Sequence, residues 1–215
     1  MAQRGKFITF EGPEGGGKTT QAKRLIQRLR EAGYEVVYTR EPGGTELGEA
    51  IRGILQHDKI AEPLCAESEV FLFEASRAQL VRRVILPALD EGKIVICDRF
   101  ADSTTAYQGH GRGFGAETMI AINDFAVGKA VPDLTLLLDV EISKSFERLA
   151  ARQKELFEKA DRIEREERDF HERVRQGYLE LAARFPKRFR TIDAAREPHI
   201  VEADVWKITM DVLRV

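Results

Sequence analysis

The chain has 215 residues, 43% of them hydrophobic, which suits one globular domain with a sizeable core. Its 34 basic and 36 acidic side chains nearly cancel, so a protein that binds nucleic acid through its overall charge is not expected. No apolar run approaches the ~18 residues of a membrane span, and no signal-like segment precedes the first strand. We expect a single domain over residues 1–215, located in the cytoplasm, with neither a membrane nor a nucleic acid partner.

A glycine-rich loop follows the first predicted strand, Phe7 to Phe10, and precedes an amphipathic helix that Gly33 ends. The loop fits the G-x-x-x-x-G-K-[ST] pattern, in which backbone N–H groups and a helix N-terminus surround phosphate oxygens. The lysine of this pattern reaches the β- and γ-phosphates, and the threonine hydroxyl binds Mg²⁺. The residues expected at a nucleoside triphosphate are therefore Gly12, Pro13, Glu14, Gly15, Gly16, Gly17, Lys18, Thr19 and Thr20. The competing interpretation is a glycine-rich turn with an incidental lysine.

Strand and helix patterns alternate along the rest of the chain. Further strands are predicted at Glu35–Thr39, Lys93–Cys97, Leu134–Val140 and Phe189–Ile192. Their apolar character suits a buried parallel sheet. The fold class is therefore α/β, with a five-stranded parallel sheet and helices on both faces.

Helices and loops connect these strands. Thr45 can cap a helix that ends near Leu55, and Ala116 to Val127 forms a helix that Gly128 ends. The predicted irregular and helical segments are a loop at Thr39–Thr45, a loop at His57–Cys65, one helix at Ala66–Leu89, a binding loop at Ser103–Gly115, and a closing helix with Val201, Val205, Ile208 and Val212 on one face.

A highly charged segment follows the fourth strand. It holds seven basic and seven acidic residues between Glu147 and Arg168, which is typical of a solvated helix surface with ion pairs. Ser143 is expected to cap this helix, which then continues through Tyr178 to Phe185.

Several motifs occur together, and in the same order, in one family. They are Phe10-Glu11-Gly12 with the glycine loop, Thr39-Arg40-Glu41-Pro42-Gly43-Gly44-Thr45, Phe71 to Gln79, Asp98-Arg99-Phe100 with Ser103 to Gly109, Pro132 to Thr135, Asp161 to Glu164, and Tyr178 to Leu181. This set closely resembles thymidylate kinase. The resemblance implies a nucleoside monophosphate kinase-like fold with a mobile lid at residues 148–168. It also implies transfer of the γ-phosphoryl group of Mg²⁺-bound ATP to dTMP by a cytoplasmic homodimer.

The resemblance also assigns an acceptor site. Phe73 resembles a base-stacking residue, Arg77 a donor to a base carbonyl, and Arg99 the cation that holds the acceptor phosphate. Tyr107 is the residue at which discrimination against a ribose 2′-hydroxyl is expected. The other members of this site are Arg40, Pro42, Thr104 and Gln108. A solvated surface arginine is the competing interpretation of Arg77.

A third group of residues is assigned to the metal and to the chemistry. Asp98 and Thr19 are expected at Mg²⁺, Asp98 through water or at the attacking oxygen, and Glu11 near the sugar 3′-hydroxyl and the metal. Asp98 has a helix cap as its competing role. Because Pro13 to Gly16 carry no cation, the family's bacterial type implies that the lid supplies catalytic arginines, best matched by Arg148, Arg152 and Arg162. Residues 153–160 are longer than the family pattern, so Arg152, Lys154 and Lys159 remain alternative ATP contacts, and solvated ion pairs are the competing role.

Two other functions remain open on the sequence alone. One is a related kinase for another pyrimidine nucleotide or deoxynucleoside. The other is a nucleotide-binding regulator without turnover, against which the loop lysine, the Asp98-Arg99 pair and the basic lid argue. A GTPase is not expected, because the chain lacks Asn-Lys-x-Asp.

Overall fold

A computed structural model describes residues 4–56, 62–156 and 161–214 of the chain. Five parallel strands form one sheet in the order β2-β3-β1-β4-β5. They are β1 (Phe7–Glu11), β2 (Val36–Arg40), β3 (Ile94–Asp98), β4 (Leu134–Asp139) and β5 (Phe189–Asp193). The predicted sheet is confirmed, and the glycine loop leaves its central strand.

The helices within these ranges are α1 (Lys18–Glu31), α2 (Glu46–Gln56), α3 (Ala66–Leu80), α4 (Leu86–Asp90), α5 (Ala101–Thr104), α6 (Ala116–Val127), α7 (Ile142–Leu156), α8 (Arg168–Arg184) and α9 (Pro198–Leu213). Two π-helical segments also occur, π1 (Val81–Ile85) and π2 (Thr105–Gly111). The long helix predicted from Ala66 is thus present as α3, π1 and α4, with the wider π turn in the middle.

Alternating side chains of the central strand enter two apolar layers. Ile8 and Phe10 pack on one face with Leu25 of α1 and Val205 of α9. Phe7 packs on the other face in a layer that includes residues of α3, π1 and α4. Because a strand alternates the direction of its side chains, this pattern covers both faces of the sheet with helices.

The predicted loop at Ser103–Gly115 is wrong over most of its length, because α5 and π2 make residues 101–111 helical. Two of its glycines, Gly109 and Gly111, permit close packing, whereas Gly113 and Gly115 have φ angles of 85° and 82° in open space. A Cβ atom on Gly111 would lie 2.6 Å from the Phe170 ring, so only glycine lets π2 approach α8 this closely. Residues 104–109 are all buried, and burial between α6 and α8 stabilises a helix that the polar composition did not indicate.

The predicted continuous helix from the charged segment to Phe185 is also wrong. Helix α7 ends at Leu156 and α8 begins at Arg168, with turns between residues 162 and 166. The Asp161 carboxylate accepts hydrogen bonds from the N–H groups of Ile163 and Glu164 at 2.9 and 2.8 Å. This local bonding competes with a helix. Ser143 lies inside the first turn of α7 rather than before it, so its capping role is wrong as well.

Three smaller predictions, each at the end of a helix, are confirmed. The Gly48 N–H donates to Thr45 Oγ1 at 3.0 Å, which is the expected cap of α2. Gly33 and Gly128 follow their helices with φ angles of 88° and 55°. Of the predicted His57–Cys65 loop, residues 57–61 lie outside the described residues, and 62–65 are irregular.

Candidate active site

One cavity of about 1020 Å³ opens at the carboxyl ends of the strands. Most of the predicted site residues line it: Glu14, Gly15, Gly17, Lys18, Thr19, Thr20, Arg40, Pro42, Phe73, Arg77, Asp98, Arg99, Thr104, Tyr107, Gln108, Arg148 and Arg152. The predicted residues that do not line it are Glu11, Gly12, Pro13, Gly16 and Arg162. Ligand sites in open parallel sheets occur at this edge.

The glycine loop has the backbone shape that phosphate binding needs. Gly12 has a φ of 135°, and a Cβ atom there would lie 2.3 Å from the Leu138 carbonyl oxygen. Lys18 Nζ donates to the carbonyl oxygens of Gly12 and Pro13 at 3.0 and 2.7 Å. Burial and the neighbouring Arg99 lower the pKa of Lys18 to about 8. The lysine amine therefore lies at the loop and can exchange carbonyl partners for phosphate oxygens.

Thr19 and Asp98 form the pair that fits a divalent cation. The Thr19 hydroxyl donates to Asp98 Oδ2 at 2.5 Å, where α1 begins and β3 ends. Both side chains offer hard oxygen ligands next to the phosphate loop, as Mg²⁺ prefers. The Asp98 side chain therefore contacts α1, and the capping role is not observed, because Phe100 precedes α5.

Glu11 lies behind the cavity. Its carboxylate accepts hydrogen bonds from the Phe100 N–H at 2.7 Å, from Ser103 Oγ at 2.6 Å and from Tyr178 Oη at 2.9 Å. Burial and the nearby Asp102 carboxylate raise the pKa of Glu11 to about 7. In this arrangement the carboxylate organises the wall behind Arg99, and its contact with metal or sugar stays a prediction.

Arg99, which is predicted to hold the acceptor phosphate, lies in the cavity wall. Its guanidinium pairs with Glu14 at 2.5 Å and donates to Tyr107 Oη at 3.0 Å. It also donates to Gly12 O at 3.1 Å and Tyr178 Oη at 3.2 Å. Burial alone would raise the pKa of Glu14, but Arg99 and Lys18 bring it down to about 2. The glycine loop thus contributes an anion to the position where Arg99 would hold a phosphate.

Arg77 is buried rather than solvated, with 1% of its surface exposed, so the competing surface interpretation is wrong. All five N–H groups of its guanidinium are used. They donate to Glu41, Glu74, Thr104 and Asn123, and Nε and Nη2 share the same Glu41 oxygen at 2.9 and 2.6 Å. Burial raises the pKa of Glu41 to about 7 although Arg77 opposes the shift. A base carbonyl would therefore have to share one of these N–H groups.

The other residues predicted for the acceptor site lie on α5 and π2, and at the end of β2 with the loop that follows it. Thr104, Tyr107 and Gln108 line the same cavity at helical spacing across α5 and π2. Arg40 donates to the Pro42 carbonyl oxygen at 3.1 Å and pairs with Glu49 at 3.0 Å. Arg40 and Pro42 thus form part of the cavity wall, and their contact with a monophosphate stays a prediction.

The lid arginines have different positions. Arg148 on α7 donates to the Gly15 carbonyl oxygen at 3.3 Å, while Arg152 pairs with Glu164 at 2.5 Å. Arg162 donates to Leu55 O at 3.1 Å and forms an ion pair with Glu69 of α3. Arg148 therefore lies nearest the phosphate loop. Lys159 lies outside the described residues.

This geometry can be compared with known proteins. The family model for thymidylate kinase matches residues 10–205. The chain belongs to the thymidylate kinase family. A curated thymidylate kinase of Pelotomaculum thermopropionicum is 52% identical over 98% of this chain and 95% of its own length. One of Deinococcus radiodurans is 48% identical over 94% and 95%. The crystal structure of thymidylate kinase from Ehrlichia chaffeensis aligns with a TM-score of 0.77 and 36% identity, over 96% of this chain and 99% of that one.

The family and the fold predicted from the motifs are therefore confirmed. Thymidylate kinases are phosphotransferases that phosphorylate dTMP to dTDP with ATP, and this is the activity of the present chain. Within the described ranges, no helix is both long and apolar enough to cross a bilayer.

Several residues of this thymidylate kinase site were missed by sequence reasoning. Tyr38 and Arg52 line the cavity, and Arg52 donates to the Pro42 carbonyl oxygen at 3.0 Å. Glu69, although buried, bonds with Gln108, Arg112 and Arg162. Arg52 lies next to the apolar face of a predicted helix and gave no separate signal. Tyr38 did give a signal, because it lies one residue before the end of a predicted strand, at the edge of the sheet where ligands bind.

Proposed function

We propose that this cavity binds Mg²⁺-bound ATP at the glycine loop and dTMP between Arg99 and Phe73, and that the γ-phosphoryl group passes directly between them. The observation that carries the proposal is the pairing of β1 with β3, in which Phe10 lies opposite Asp98. This register places the phosphate loop and the Asp98-Arg99 pair side by side. Two phosphate-binding elements that share one cavity suit a transfer between two nucleotides.

On the acceptor side, Arg99 binds the dTMP phosphate by exchanging Glu14 for phosphate oxygens. A guanidinium fork matches paired phosphate oxygens, and Arg40 adds charge from β2. Phe73 provides the ring face for thymine, and Tyr107 lies where the sugar passes between ring and phosphate. The hydroxyl of Tyr107 is held by Glu14 and Arg99 at 3.1 and 3.0 Å, which supports its role at the 2′-position.

On the donor side, Lys18 and the lid arginines stabilise the charge of the transferred group. Lid closure brings Arg148 to the phosphates, and exclusion of water directs the phosphoryl group to dTMP rather than to hydroxide. Thr19 and Asp98 would hold Mg²⁺, which would supply charge neutralisation between the phosphates. Asp98, which lies between Thr19 and the neighbouring Arg99, would also orient the acceptor oxygen toward the donor.

The same proposal includes a homodimer. Phe71 of α3 and Phe125 of α6 are 64% and 88% exposed, and both helices pack against each other. Exposed aromatic side chains of this size on adjoining helices are typical of a subunit interface. The cytoplasm is the proposed compartment, which agrees with two free thiols at Cys65 and Cys97.

Steady-state assays with ATP and a panel of monophosphates test the proposal. We expect dTMP to give the highest kcat/KM and ATP consumption to require dTMP. Equal or better turnover of dUMP, CMP or GMP would contradict the acceptor assignment. ATP consumption that ignores dTMP would instead indicate a regulator. Sedimentation at micromolar concentration tests the dimer, with Phe125→Glu as the variant expected to give monomers.

A further inference from the structure

A buried carboxylate lies directly behind the base region of the cavity. Glu69 of α3 accepts a hydrogen bond from Gln108 Nε2 at 2.7 Å, and each of these residues has 1% of its surface exposed. Glu69 precedes Phe73 by four residues on α3, so the two side chains share a helix face. Glu69 does not line the cavity, whereas Gln108 and Phe73 do. Any influence of Glu69 on a ligand must therefore act through Gln108.

The charge state of Glu69 fixes the orientation of this amide. Arg162 and Arg112 both pair with Glu69, and with Gln108 they hold its pKa below the ordinary value despite burial. An ionised carboxylate only accepts hydrogen bonds. The amide nitrogen of Gln108 must consequently face Glu69, and the amide oxygen must face the other way.

That oxygen is an acceptor that α3 leaves open to the base region. Among the described residues, none donates a hydrogen bond to Gln108 Oε1, and the residue lines the cavity together with Phe73 and Thr104. A base that covers this oxygen must offer it a donor, because an acceptor buried by a ligand without a partner is costly. Thymine and uracil present an N–H group at ring position 3, whereas cytosine presents a bare nitrogen that would meet the oxygen as a second acceptor.

We propose that Glu69 is a specificity-determining positioning residue, which fixes the Gln108 amide with its oxygen toward the base and so selects thymine and uracil over cytosine. This inference rests on the proposed acceptor site between Arg99 and Phe73. It gives the base preference a source outside the cavity wall. Arg112 and Arg162, which keep Glu69 charged, contribute to the same base preference.

Glu69→Gln is the decisive variant, because the two ends of the new amide have unequal partners. Its oxygen stays with Arg162 and Arg112, so its nitrogen turns toward Gln108. The Gln108 amide then reverses, and its N–H group faces the base. We expect the preference for dTMP over dCMP to fall by roughly tenfold or more, and the preference for dTMP over dUMP to stay within about twofold.

The measurement is the inhibition or Michaelis constant of each monophosphate at saturating ATP, which is defined even where dCMP is not turned over. A purely structural role for Glu69 would weaken all three nucleotides in proportion, and that result would overturn the proposal. Wild-type protein that fails to prefer dTMP over dCMP would instead overturn the proposed function. The two failures are thus distinguishable.

Two further variants complete the test. Glu67→Gln makes the same change at an exposed position of α3, and we expect it to leave both ratios within about twofold. Glu69→Asp keeps the charge but retracts the carboxylate, and we expect a shift in the dTMP to dCMP ratio of about threefold even if Glu69→Gln does not fold. An unchanged ratio in Glu69→Asp would contradict the positioning role.

Discussion

The region predicted to bind the acceptor and the predicted lid, residues 148–168, hold their arginines in opposite ways. Arg77 is 1% exposed and has all five N–H groups bonded to buried partners. Arg152 on the lid is 43% exposed and pairs with Glu164, a neighbour in the same segment. The buried Arg77 cluster is therefore formed before any ligand arrives, whereas Arg152 is expected to contribute less to stability because its own side chain is half-exposed, although Glu164 is 7% exposed. Substitutions in the first region should mainly lower the unfolding free energy, and substitutions in the second should mainly lower the rate.

The largest effect is expected from Arg77→Met. It leaves the Glu41 and Glu74 carboxylates buried without their cation, which costs about 3–5 kcal/mol of unfolding free energy. Urea denaturation measures the change. Arg83→Met, at an exposed position of the neighbouring π1 segment, is the control and should change stability by less than about 0.5 kcal/mol. A small loss in Arg77→Met would show that the acceptor region is not preformed.

Arg148→Ala should affect rate without stability. Among the described residues, its hydrogen-bond partner is Gly15 O at 3.3 Å, so the unfolding free energy should change little. Loss of one donor to the transferred group should lower kcat by roughly 10²-fold, measured in single-turnover assays. Lys154→Ala on the same exposed helix end is the comparison. An equal loss in both variants would assign the rate to general lid charge.

The pair of Glu14 and Arg99 predicts an acid-sensitive contribution to stability. The pKa of Glu14 is lowered to about 2 in the folded protein, so its contribution is complete above an unfolded pKa near 4.5 and disappears as the pH falls toward 2. Relative to Glu14→Gln, the wild type should lose about 2 kcal/mol of unfolding free energy between pH 6 and pH 3. Parallel pH profiles for the two proteins would contradict this pairing.

Arg162 lies within the predicted lid but contacts α2 and α3, so it tests the boundary between the two regions. Because it pairs with Glu69, we expect Arg162→Ala to raise the KM for dTMP by roughly tenfold and to leave the KM for ATP nearly unchanged. The reverse result, with a higher KM for ATP, would support the role that the family resemblance implies. Arg165→Ala, in the same turn region, is the matched substitution.

The sequence predicted the parts of this structure that depend on short-range patterns. Apolar strands and the glycine loop are local signals, and they located the sheet and the loop that leaves its central strand. The helix at residues 101–111 depends instead on Phe170, about 60 residues away, whose ring fits against Gly111. Likewise Glu69 gains its role from Gln108, Arg112 and Arg162, which lie 39, 43 and 93 residues along the chain. Such long-range contacts have no local signature.

The lysine of the phosphate loop links nucleotide binding to the acidity of the solution. With its pKa lowered to about 8, about half of the Lys18 amines are neutral at pH 8 before a ligand arrives. A phosphate group beside this amine favours the charged form, so ATP binding at that pH takes a proton from the buffer. The heat of binding should therefore differ between Tris and phosphate buffers at pH 8, and the difference should diminish toward pH 6.5. The loop thus binds a proton together with its anion.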